Sequence, residues 1–193
     1  MNRAIDIIQE EHRALAAVLN ALMRFVDGVS TGRYRADFVL LDAMIEYIKE
    51  LPEKVHHPKE DGFLFARLRA RCAEAIPIIE GLEDEHRQGP ARMAALEQAL
   101  SLYRCRGADA LAAFQTAVRR YVEQEWRHMA TEEGKILPLA TRHLDAQDWA
   151  DIVAAFEANG NPWEGASGEY AQLFSRIVQL APAPIGVGPG QRQ

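Results

Sequence analysis

Four histidines, His12, His56, His86 and His128, and two glutamates, Glu60 and Glu132, stand where a helical stripe calls for its next apolar residue. His56 and Glu60 are spaced i, i+4, as are His128 and Glu132, and such residues share one face of a helix. Each pair can present an imidazole and a carboxylate to one point. A buried carboxylate is costly unless something compensates its charge, and a metal ion does so. The set holds nitrogen and oxygen donors and no thiolate, which suits iron or manganese better than a structural zinc site. Six protein ligands exceed the needs of one catalytic ion and fit two octahedral ions bridged by both glutamates. Such a pair offers about twelve positions. The glutamates fill four, the histidines four and an oxo or hydroxo bridge two. About two stay open to dioxygen, nitric oxide, peroxide or azide.

Helices must carry this set. Helical periodicity dominates the chain and no alternating strand pattern is found, so the fold class is all-α. Ile5, Ile8, Leu15, Leu19, Leu22 and Val26 form the stripe of a first helix that ends at Asp27-Gly28, and His12 fills a gap in it. A second helix begins near Arg35, carries Phe38, Leu41, Ile45 and Ile48, and passes Pro52 and Pro58, which predict a bend or a loosened turn. The third starts around Glu74 to Pro77, carries Ile79, Leu82, His86, Met93, Leu96 and Leu100, and stops before Gly107. The fourth runs from about Ala108 through Phe114, Tyr121 and His128 to about Gly134, with a turn or short helix onward to His143. Asp145 caps a helix over 146–158 that Asn159-Gly160 stops, and 169–180 forms one more.

The expected architecture is an antiparallel up-down four-helix bundle over 1–143, a helical extension packed on it over 144–181, and a disordered Pro- and Gly-rich tail over 182–193. Register supports a single site. His86 and His128 lie about nineteen residues on either side of the connection at Gly107, and the second connection matches within about one turn. The first misses by about five residues, which uncertain helix ends or the prolines absorb.

Composition excludes several classes. The 193 residues, 48% hydrophobic, can bury one core. The N-terminus is charged within six residues and lacks the apolar run of a signal peptide or membrane span, so the protein is expected to be soluble and cytoplasmic. Net charge is −6, and basic residues are mixed with acids apart from Arg67, Arg69 and Arg71, so neither nucleic acid nor an anionic membrane is an expected partner. That arginine run fits a helix C-terminus. Cys72 and Cys105 form no Cys-x-x-Cys pair and are expected as free thiols at opposite ends of the third helix.

Several neighbours receive quieter readings. His57 and Asp61 make a second i, i+4 pair one residue over, but Glu60 and the apolar stripe favour His56. Glu133 is read as solvated and His143 as a surface or capping residue. Tyr121 and Glu125 share the face of His128 and are candidates for orienting a ligand, with packing and surface roles as alternatives.

His12, the stretches HHPKEDGFLF and EDEHRQG, and RHMATEEGKILP together resemble the haemerythrin-like HHE cation-binding family over about residues 3 to 143. The resemblance implies a four-helix bundle with a non-haem di-iron centre, with His12, His56, Glu60, His86, His128 and Glu132 as ligands and the two glutamates as bridges. Oxygen-carrying members have a fifth histidine on the third helix, four residues from the other. Here those positions hold Leu82 and Pro90. The set of four histidines and two glutamates is more similar to the iron-sulfur-cluster repair proteins of the superfamily, which carry an additional N-terminal cysteine-bearing segment not seen here.

The expected function is that of a di-iron protein that binds or reacts with dioxygen, nitric oxide or peroxide in oxidative or nitrosative stress. The alternatives are a reversible oxygen or nitric oxide sensing module, for which Trp149, Trp163 and Tyr170 lie in the only available output segment, and an iron donor for cluster repair. A manganese or mixed centre uses the same ligands. Whether the chain is an enzyme, and which protein partner and oligomeric state it adopts, stay open at this level.

Overall fold

A computed structural model describes residues 2–158 and 169–188. The described residues form helices and turns with no strand, as the periodicity requires. Helix α1 (Arg3–Ser30) is capped by Asn2, whose side chain accepts the Ala4 N–H at 3.1 Å. It runs past Asp27-Gly28, the expected stop. Gly28 serves a close approach instead: a Cβ there would meet the Tyr34 ring at 2.2 Å, and the N–H groups of Arg33 and Tyr34 both donate to its carbonyl.

Helix α2 (residues 38–71) begins at Asp37, which accepts from the Val39 and Leu40 N–H groups. After Phe38–Leu51 the ladder opens into a π turn at Pro52–His56, closes over His57–Lys59, opens again at Glu60–Phe65 and ends as Ala66–Arg71. Pro52 and Pro58 have no N–H to give to the i−4 carbonyl, so the chain widens without breaking. The loosening expected at the prolines thus takes the form of two wide turns that flank the His56–Glu60 pair.

Helix α3 (Ile76–Arg106) ends at Gly107, whose φ of 59° suits a residue without Cβ. Helix α4 (residues 108–143) does not stop near Gly134; it passes through a third π turn at Glu132–Ile136 and continues as Leu137–His143. His143 is therefore the last residue of the fourth helix, and it is exposed. Helix α5 (Ala146–Glu157) has a full capping box between Asp145 and Asp148, and α6 (Glu169–Leu180) follows. The stop assigned to Asn159-Gly160, and Trp163, lie outside the described residues. Of the segment read as a disordered tail, Pro182–Gly188 turns back on α6: the Val187 N–H donates to the Val178 carbonyl at 2.8 Å and the Gly188 N–H to Ala181 at 2.8 Å. Residues 189–193 lie outside the described residues.

α1 packs on α2 and α4, and α3 on α2 and α4, which closes the bundle. Two apolar clusters fill it. One holds Leu15, Leu19, Leu22, Phe25, Met44, Tyr47, Leu96 and Phe114; the other holds Ile8, Leu64, Phe65, Leu68, Ile79, Leu82, Ile136 and Phe156. The polar layer lies between them. α5 closes the second cluster, and the arginine run tethers it: Arg67 reaches Asp151 at 2.7 Å, and Arg71 reaches Asp145 at 2.5 Å and Asp148 at 3.1 Å. Both cysteines are free, Cys72 buried and Cys105 exposed. Among the described residues no helix is long and apolar enough to cross a membrane.

Asp145 joins the α5 cap to the Arg71 tether. Asp145→Ala is expected to cost about 1 kcal/mol and to lower the melting temperature by roughly 2–4 °C in a chain of this size. An unchanged thermal melt would show that the cap carries no stability.

Candidate metal centre

The four stripes meet in one layer. His12 comes from α1, His56 and Glu60 from the wide-turn region of α2, His86 from α3, and His128 and Glu132 from α4. All six are buried, each no more than 6% exposed. The residues singled out by spacing are therefore brought together, and register across all three connections converges on one level.

Their arrangement has two halves. In the first, His12 Nε2 lies 3.0 Å from His56 Nε2 and 3.2 Å from Glu132 Oε2, and His56 Nε2 lies 3.2 Å from Glu60 Oε1. In the second, His86 Nε2 lies 3.0 Å from His128 Nε2 and 3.7 Å from Glu60 Oε2, and His128 Nε2 lies 3.0 Å from Glu132 Oε1. Each glutamate thus sends one oxygen to each half. Adjacent ligands on an octahedral ion with bonds of about 2.1 Å sit about 3 Å apart, which is the spacing of the shortest of these contacts.

Tautomers follow from the outer partners. His12 Nδ1 donates to Glu133 at 2.8 Å, His56 Nδ1 to Glu11 at 2.6 Å, His86 Nδ1 to Asp61 at 2.8 Å and His128 Nδ1 to Glu85 at 2.7 Å. A carboxylate only accepts, so each Nδ1 carries a proton and each neutral ring turns its Nε2 lone pair inward. Two facing lone pairs at 3.0 Å repel, and a cation between them reverses the sign. With the rings neutral, the four buried oxygens of Glu60 and Glu132 have no hydrogen-bond donor. Orphaned carboxylate oxygens beside inward lone pairs are what a metal ion satisfies, so the residues fit such an ion.

The outer carboxylates are the functional residues that stripe reasoning missed. Each is the chain neighbour of an inward residue and serves the next helix: Glu11 of α1 holds His56 of α2, Asp61 of α2 holds His86 of α3, Glu85 of α3 holds His128 of α4, and Glu133 of α4 returns to His12. The signal was an acid directly beside each inward residue, as in Glu11-His12, Glu60-Asp61, Glu85-His86 and Glu132-Glu133. Glu133 and Asp61, read as a solvated residue and a mere neighbour, are corrected accordingly. Glu125 is buried and lies 3.8 Å from Arg92. His57 is buried as well, with its ring stacked on His86 at 3.9 Å.

Electrostatics describe the field that a cation meets. Burial works against a charged His56, yet Glu60 and Glu11 lift it well above the ordinary imidazole value. Burial likewise opposes His128, but Glu132 outweighs it and the group is pushed up to about 10. His12 rises against burial through Glu132 and Glu133. Burial, then the Glu132 charge, push Glu60 up. Glu132, despite its burial, is held well below the carboxylate range by His128 and His12. His57 also falls well below its usual value, through burial and the imidazoles of His86, His56 and His128.

Compared with known families, the chain matches the family model described as Hemerythrin HHE cation binding domain over residues 3–140. No curated protein and no solved structure matches it.

Two expectations follow from the charges. In protein stripped of metal by a chelator, His12, His56 and His128 have folded-state values above the unfolded one. Their contribution is complete below about pH 6.5 and is lost as pH rises through their raised values, which for His128 is about 10. The melting temperature of the stripped protein should therefore fall across that window, and a flat profile would refute the assignment of proton-stabilised imidazoles. Glu85 is 47% exposed and bonds only through its inner end. Glu85→Ala should weaken metal binding by about 10–100-fold and, by leaving the buried His128 Nδ1–H without its partner, also lower the stripped protein's melting temperature; competition against a chelator of known affinity measures the first and a thermal melt the second.

Proposed function

Since the chain belongs to the haemerythrin HHE cation-binding domain family, we propose that its metal-binding layer holds two iron ions and that the loaded protein binds or reacts with dioxygen, nitric oxide or peroxide in a stress response. His12 and His56 would hold one ion and His86 and His128 the other, with Glu60 and Glu132 bridging and a solvent-derived oxo or hydroxo bridge completing the pair. The division of each glutamate between the two halves is the observation that carries this reading. A carboxylate with one oxygen in each half serves two ions better than one. The donor set, all nitrogen and oxygen, supports iron over a thiolate-bound metal, with manganese as the competing ion.

When bound, an iron pair supplies redox electrons and open coordination for a small ligand. The chain's own residues do the rest. Glu11, Asp61, Glu85 and Glu133 hold the four Nδ1 protons and so keep each Nε2 pointed inward. Phe156, fully buried with its ring 6.2 Å from His56, and Phe65, stacked 5.8 Å from His86, line the layer with apolar surface. That lining limits water and strengthens the charge interactions inside. Burial of every donor restricts the reactant to something of a few atoms.

Metal analysis of protein from iron-replete cells, with optical spectra in air, under nitric oxide and after peroxide, tests the reading. Two iron ions per chain and turnover of one of these reactants above the rate of free iron are expected. A stable oxygen adduct that decays without oxidising the protein would point to reversible binding instead. Glu60→Gln combined with Glu132→Gln should abolish the paired iron, and retention of two ions in that variant would overturn the bridging roles.

A further inference from the structure

The ligands assigned so far leave His57 without a role, although it is only 7% exposed. Its Nδ1 is buried and has no hydrogen-bond partner, whereas the Nδ1 atoms of His12, His56, His86 and His128 are each tied to a carboxylate. The ring is stacked on His86 with an interplanar angle of 15° and stands edge-on to His128 at 5.4 Å. His57, His86 and His128 each offer a ring nitrogen, and the three lie within 4.8 Å of one another. A buried polar atom without a partner is costly, and the groups within reach here are the ligands of the second half.

We propose that His57 is a seventh protein ligand, the third imidazole on the ion held by His86, His128 and the two glutamates. The assignment rests on the two-ion reading above. It makes the ions unequal. The His86/His128 ion then has three imidazoles, two carboxylate oxygens and the solvent bridge, which fill an octahedron. The His12/His56 ion has one imidazole fewer and keeps one open position, so an added ligand binds there alone.

The backbone explains how two consecutive residues serve two ions. α3 offers only His86 to the layer, with buried Leu82 one turn before it. The wide turn at Pro52–His56 closes at His57, and the second wide turn opens at Glu60. Between them His56 faces His12, with ring centroids 4.9 Å apart, while His57 faces His86. Because the His57 and His86 planes are close to parallel, one ion cannot lie in both. Coordination requires the His57 ring to tilt about its Cβ–Cγ bond, a torsion with a broad, soft profile.

The full chain, reconstituted with iron, is compared with His57→Gln and His57→Phe. The phenylalanine keeps the stack on His86 but has no donor, and melts of both variants after chelation report whether they fold; either folded variant suffices. The parent should carry two irons, five imidazoles per pair by X-ray absorption, two distinct Mössbauer doublets, and one azide per pair. A folded variant should show four imidazoles, converging doublets and a second azide, or should lose the His86/His128 ion. An unchanged imidazole count and azide stoichiometry in a folded variant overturns the role of His57 while leaving the pair intact. Fewer than two irons in the parent overturns the pair, and this assignment with it.

Discussion

Two carboxylates in the middle of the bundle, Glu60 and Glu132, set the terms for everything around them. With the rings neutral, their four oxygens are buried without a donor, and burying such charge is unfavourable unless an opposite charge comes with it. The protein answers in shells. Imidazoles surround the two glutamates, and four more carboxylates surround the imidazoles. The result is a layer holding six acids, which opposes the burial of bare charge and attracts cations. Protons and metal ions feel the same field. The rise of His12, His56 and His128 and the affinity for metal are two readings of one potential, and protons compete with the metal for the site.

The outer ring ties that layer to the fold. Each carboxylate sits on one helix and holds the imidazole of the next, so α1, α2, α3 and α4 are linked in a closed circuit by hydrogen bonds of 2.6–2.8 Å. Apolar packing on either side can slide by small amounts, because dispersion contacts are non-directional. A charge-assisted hydrogen bond cannot slide far without breaking. The two apolar clusters therefore supply the bulk of cohesion, and the ring supplies the register.

Much of the site was legible because helices project residues by a simple rule. A histidine in an apolar stripe is visible from spacing alone, and the equal counts on either side of Gly107 placed His86 and His128 at one level. What the spacing did not reveal has a physical cause in each case. Gly28 and Gly134 looked like stops, but the first makes room for Tyr34 and the second lies within a π turn, and neither purpose is local to the stripe. The outer acids were missed because a residue adjacent to an inward one points sideways, toward a neighbouring helix whose rotation only the folded bundle defines. His57 was set aside because Glu60 and the apolar stripe favour His56; that it is buried as well, with its ring on His86, follows from the two wide turns around it, which spacing on a regular helix does not show.

Burial of the imidazoles does not isolate them from water. Asp61 is 40% exposed, Glu133 42% and Glu85 47%, and each bonds a buried Nδ1 with its other end in reach of solvent. Glu11, at 1% exposure, is the exception. A change of charge at the ligands would propagate along an N–H···O bond to a carboxylate that solvent can stabilise, over a single side chain. The fourth path ends inside the protein, beneath Lys59, whose charge lies in the field of Glu11. The His56 corner is therefore the driest of the four.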